Sequence, residues 1–112
     1  MKSCIMFIIL LLISVSLSAR TIVVKYRDTP VDVDNGHFEE LKLKPSSLVM
    51  KMFYDEQGNY LLVSLKNTFY HYCGINKPLI NTCVNSDSLG RFYLNNIKGN
   101  FDCRIFPMPS YK

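Results

Sequence analysis

From Leu48 to Cys73 apolar and polar residues alternate in short runs divided by turn-forming residues. Leu48 to Tyr54 is the first run. In the second, Tyr60 to Leu65, Leu61, Val63 and Leu65 fall on one face and Tyr60, Leu62 and Ser64 on the other, the period of two that a β-strand requires. In the third, Thr68 to Cys73, Tyr70 and Tyr72 project from one face and Phe69, His71 and Cys73 from the other. The links between runs are Asp55-Glu56-Gln57-Gly58-Asn59 and Lys66-Asn67, short enough to force antiparallel neighbours. The pattern predicts a three-stranded antiparallel meander.

Beyond Gly74 the period lengthens. Leu79, Ile80, Cys83 and Val84 share one helical face, and Pro78 suits the first turn of that helix. A second helix begins near Ser88, a good N-cap, and carries Leu89, Phe92, Tyr93 and Ile97 on one side. Gly99 suits its end, and Phe101 to Phe106 reads as a final strand. The fold class is therefore α+β: the meander, two short helices laid over one of its faces, and a last strand.

The segment before the meander reads as an N-terminal arm, 20–45. Ile22 to Tyr26 predicts a short strand stopped at Asp28-Thr29-Pro30, and Asp34-Asn35-Gly36 is a turn. Phe38, Leu41 and Leu43 form an apolar patch expected to pack on the main domain, 46–106, which Pro45-Ser46-Ser47 sets off from the arm. Residues 107–112 are a short tail. Residues 1–19 have the order of a secretory signal: Lys2, an apolar run from Cys4 to Ile13, then small residues to Ala19, with cleavage after Ser18 or Ala19. That run falls short of the ~20 apolar residues a spanning helix needs, so no stable membrane insertion is expected after cleavage. An uncleaved anchor is the alternative. The expected location is exported, periplasmic or secreted.

Charge adds little. The formal net charge is +4, with Lys2 contributing one unit. Acid gathers in the first part, at Asp28, Asp32, Asp34, Glu39, Glu40, Asp55 and Glu56; beyond Lys66, Asp87 and Asp102 face Lys77, Arg91, Lys98, Arg104 and Lys112. So mild an excess does not identify a nucleic-acid binder. Of the 4 cysteines, three lie after the signal. Cys83 sits on the apolar helix face and reads as a small core residue. An oxidising compartment favours pairing of Cys73 with Cys103; three free thiols are the alternative. No Cys-x-x-Cys or His spacing supports a metal, and no cofactor is implied.

The ordered set Ser47, Tyr54, Leu61-x-Val63-x-Leu65-Lys66-Asn67, Tyr70-His71-Tyr72, Ser88-x-Gly90, Phe92-Tyr93, Asn96-Ile97, and Phe101 with Arg104 resembles the KTSC domain. That module is named from C-terminal extensions of some bacterial lysyl-tRNA synthetases and also occurs alone. Thr68 departs from the pattern, where the family usually turns with Gly, and Cys73 and Cys103 look local to this chain. The resemblance implies a binding role, with RNA suggested by the synthetase context. Tyr70 and Tyr72 on one strand face, with Arg91, Lys98 and Arg104 nearby, would suit base stacking and phosphate contacts. Cross-strand packing of the tyrosines is the competing reading and the favoured one. His71 and Cys73 share a strand face, but no third group orients them, so the chain is expected to be non-catalytic. The leading expectation is an exported binding module for a protein or peptide partner at the cell envelope, with RNA or DNA as the alternative.

Overall fold

The computed structural model describes residues 20–111; the signal expected at 1–19 lies outside the described residues. Among those described, no helix is long and apolar enough to cross a membrane.

The alternating runs become strands β4 (Val49–Asp55), β5 (Tyr60–Leu65) and β6 (Thr68–Cys73). Antiparallel pairing sets Tyr54 opposite Leu61, Tyr60 opposite Cys73 and Val63 opposite Tyr70. The sheet is larger than the predicted three strands. Two arm residues, β3 (Glu39–Glu40), add to the far side of β4, giving the order β3-β4-β5-β6. The arm also contains a separate two-stranded ribbon, β1 (Thr21–Ile22) with β2 (Val31–Asp32). The strand expected over Ile22 to Tyr26 is thus cut short. Val24 instead bridges to Phe69 in parallel, and Tyr26 turns the chain with φ +69°.

Both faces of the sheet are covered by packed side chains. On the first, Met52, Tyr54, Leu61, Val63 and Tyr72 meet Ile80, Cys83, Leu89, Tyr93 and Ile97 from the helical layer. Helix α1 (Lys77–Val84) starts where the Asn76 side chain accepts a hydrogen bond from the Leu79 amide at 3.2 Å. Helix α2 (Leu89–Phe92) starts at Ser88, whose Oγ accepts from the Arg91 amide at 3.3 Å. It widens into a π-helical turn, Tyr93–Ile97, closed by the Lys98 amide on the Tyr93 carbonyl at 2.9 Å. That turn keeps Tyr93 and Ile97 on the buried side.

The second face, Phe53, Tyr60, Leu62 and Cys73, is covered by Val24, Val31 and Val33 of the arm. Phe38, Leu41 and Leu43 do pack on the domain, but not as one patch. The period of two at β3 sends Phe38 to the second core and Leu41 and Leu43 to the first. Tyr111 closes over the second core beside Phe38.

No strand forms over Phe101 to Phe106. Phe101 takes a left-handed φ of +58°, and Asp102 then organises a tight turn. The Asp102 carbonyl accepts from the amides of Ile105 and Phe106, and its carboxylate accepts from the Arg104 amide at 2.8 Å. This turn carries Cys103 to Cys73, with Cα atoms 4.9 Å apart, and the two are joined by a disulfide. Among the described residues Cys83 is free and buried, and burial pushes its thiol up to about 11. Gly74, at φ +71°, lets Phe106 lie where any Cβ would stand 2.5 Å from its ring. The outer side of β6 is occupied at both ends: the Lys25 amide donates to the Phe69 carbonyl at 2.9 Å, and the Cys73 amide to the Phe101 carbonyl at 2.8 Å.

The disulfide spans 30 residues and should contribute about 2–4 kcal/mol. Cys103→Ser is expected to lower the urea midpoint accordingly; an unchanged midpoint under oxidising conditions would show that the bridge is energetically idle.

Candidate functional site

The helices cover the face from which Tyr70 and Tyr72 project, and that placement decides much of their chemistry. Tyr72 is 8% exposed. Its ring meets Tyr93 edge-on at 5.9 Å, and the two phenol oxygens share a hydrogen bond. Burial raises both phenols above their ordinary value, so each remains a neutral hydrogen-bonding group. Tyr70 is half-buried against the same core, with the Lys25 ammonium 5.6 Å from its ring centre. The pair packs from within the sheet's covered face.

The basic candidates lie on the second helical segment and on the disulfide turn. Arg91 is exposed on α2, and Lys98 is exposed just past the π-helical turn. Arg104 sits on the disulfide turn and is committed to Asp102 at 2.8 Å; the guanidinium holds that carboxyl down at about 2. His71 does not meet a thiolate, because Cys73 is in the disulfide. Instead its Nδ1 lies 2.9 Å from the Tyr60 hydroxyl, which accepts from Arg27 Nη1 at 3.2 Å. With Arg27 donating, the Tyr60 proton is directed to an unprotonated Nδ1. The imidazole is held below its ordinary 6.5 by burial first and the Arg27 charge second, with Asp102 opposing.

One cleft lies where sequence features converge. It measures about 440 Å³ and separates the 45–48 segment from the start of α2; Ser46, Ser47, Ser88, Gly90, Arg91 and Leu94 line it, with Asp87 at the same end. Ser46 Oγ shapes one wall by accepting from the amides of Leu48 and Val49 at 3.2 and 3.1 Å. Neither Asp87 nor Arg91 is among the ion pairs formed by the described residues. Leu94 is 49% exposed beside them. An open guanidinium, a carboxylate, hydroxyls and one apolar side chain can together hold a short polar segment with an apolar residue. Sequence reasoning singled out Arg91 for its charge and Ser47, Ser88 and Gly90 for their pattern, but had no means of joining them. Among the described residues, no group of His, Cys, Asp and Glu is arranged to hold a metal ion.

A two-sided α+β domain with a capped helix pair over a β-hairpin array defines the class, and comparison defines the family. The KTSC domain matches residues 45–101, and the chain belongs to that family. A crystal structure of a KTSC domain protein from Yersinia pestis shares its fold, with a TM-score of 0.53 and 24% identity over 58% of this chain and 92% of the other. No curated protein matches the chain. The match ends before Cys103 and begins after Lys44, so the arm and the disulfide turn lie outside it.

Tyr72→Ala is expected to destabilise the protein by about 3–5 kcal/mol, the usual cost of removing a buried aromatic ring; a loss under 1 kcal/mol by urea unfolding would contradict its place in the core. The depressed His71 value makes the folded state bind fewer protons than the unfolded one below 6.5. Stability should therefore be undiminished above that pH and fall as the pH drops below it. His71→Gln should flatten the fall, as read by thermal melts on both sides of pH 6.5.

Proposed function

We propose that this protein is a small non-catalytic binding module of the KTSC type, exported by its N-terminal segment, that takes a protein or peptide segment in the cleft between 45–48 and α2. The observation that carries the reading is the convergence of Ser47, Ser88 and Gly90 on a cleft with Arg91, which makes no ion pair among the described residues. The tyrosines of the same sequence pattern go to the covered face instead. Arg91 supplies a two-pronged donor for a carboxylate, and Asp87 an acceptor for an amine or amide. The disulfide supports an oxidising compartment. A nucleic-acid role draws no support from Tyr72, which is too deeply buried to stack on a base.

Gly90 gives a sensitive test. A Cβ there would stand 3.4 Å from Leu48 Cβ and 3.5 Å from Ser46 Oγ, ordinary contacts on the cleft floor. Helix propensity favours alanine by about 0.5–1 kcal/mol. Gly90→Ala should thus keep or raise the melting temperature while narrowing the cleft. In affinity capture from the native host, the wild type should retain a polypeptide that Gly90→Ala and Arg91→Glu lose. If all three proteins retain the same partners, the cleft is not the binding face. Mass spectrometry of the protein from that host should find the N-terminus near Arg20; recovery of Lys2 would sink export.

A further inference from the structure

The segment after the disulfide turn crosses the second face and ends in a side chain seated in a well-formed receptor. The Tyr111 ring lies 5.2 Å from His37, 5.2 Å from Phe38 and 6.3 Å from Tyr60, measured between ring centres. The Arg27 guanidinium stands 5.6 Å from its centre. The phenol donates to Asp55 Oδ2 at 2.5 Å. Two residues earlier, the Pro109 carbonyl accepts from Arg27 Nη2 at 3.0 Å.

This receptor is chemically unusual for a packing contact. Asp55 is 4% exposed, and among the described residues its other oxygen accepts only from the Gly58 amide, at 3.1 Å. Arg27 does not pair with it, and Arg27 Nε is buried with no partner among the described residues. A buried carboxylate of this kind is costly unless a donor reaches it. Here that donor is the phenol. Gly58 keeps the approach open, since a Cβ would stand 2.7 Å from both Asp55 Oδ2 and Pro109 Cγ.

The occupant itself is lightly held. From Pro107 to Tyr111 there is no helix or strand, and its hydrogen bonds to the rest of the described protein are the two from Arg27 and to Asp55. Met108 is 44% exposed. Segments with few buried contacts are the ones that open locally.

We propose that Arg27, His37, Phe38, Asp55 and Tyr60 form a tyrosine-recognising socket that Tyr111 fills in cis, and that a peptide with proline two residues before a tyrosine fills it in trans when the strap lifts. The phenol is read by the carboxylate, its ring by the aromatic walls and the guanidinium, and the proline carbonyl by the same guanidinium. A tethered occupant competes at an effective concentration of about millimolar, so the intact protein should be closed to weak ligands. This socket is separate from the cleft at Arg91, and the two readings stand or fall independently.

The test uses full-length protein and a synthetic peptide with the sequence of Phe106 to Tyr111, followed by amide shifts of Gly58 and Phe38. Tyr111→Ala should bind the peptide at one site, at least tenfold more tightly than the wild type. The same peptide with phenylalanine for tyrosine should bind about tenfold more weakly, having lost a hydrogen bond to a charged group. Tyr111→Phe, which preserves the ring and the packing, should fall between wild type and Tyr111→Ala. No binding by Tyr111→Ala with its fold retained, equal binding of the two peptides, or equal binding by wild type and both variants would each overturn the proposal. Should Tyr111→Ala fail to fold, Tyr111→Phe binding the tyrosine peptide no better than wild type would overturn it.

Discussion

Strand β5 is buried from both sides, and the rest of the structure answers to that. Tyr60, Leu61, Leu62 and Val63 are all 0% exposed. A sheet with one apolar face needs one cover, whereas this sheet needs two. The part that matches the KTSC domain provides the helical cover over Leu61, Val63 and Tyr72. Phe53, Tyr60, Leu62 and Cys73 are left for segments outside the match, the arm from one end and the strap from the other. The disulfide fastens the second cover at the point where the matched part stops, which places covalent reinforcement on the side with the least regular structure.

What the sequence revealed follows from how local each feature is. The alternation in β5 and β6 identifies both strands and sorts their side chains to the correct faces, because a period of two is a property of the backbone alone. Ser88 as a cap and Cys83 as a core residue are equally local. The pairing of Cys73 with Cys103 was open to inference because few cysteines compete. By contrast, β1, β2 and β3 have two residues each, too few for any period to show. Their pairing is dictated by the tertiary surface they cover. The apolar run at Phe101 to Phe106 misleads, since Asp102 diverts the backbone into a turn that propensity does not reveal. The contacts of Tyr111 with Asp55 and His37 join distant residues and leave no trace in local pattern.

The candidate site was legible by residue and illegible by arrangement. Arg91 carries its charge wherever the fold puts it, so composition alone brought it forward. Tyr72 was ambiguous because a phenol serves equally well as a stacking surface and as a core ring with a polar tip. Tyr93 resolves the ambiguity by supplying a buried partner for that tip. The second core shows the same economy. Tyr60 receives Arg27, faces His71 and backs Tyr111, so one buried phenol ties together side chains from three separate segments.

The edges of the sheet have a consequence for how anything can be recognised here. The far edge, β3, is two exposed glutamates long, and the near edge, β6, is already engaged at Phe69 and Cys73. Between those two points His71 is the one odd-numbered residue, and odd-numbered residues are the ones whose main-chain groups turn outward. Among the described residues, the edges of this four-stranded sheet therefore offer an extended polypeptide little main chain against which to zip. Any extended partner would have to be chosen by side-chain chemistry rather than by pairing with this sheet, and the same blunt edges give a second copy of the sheet little main chain to extend.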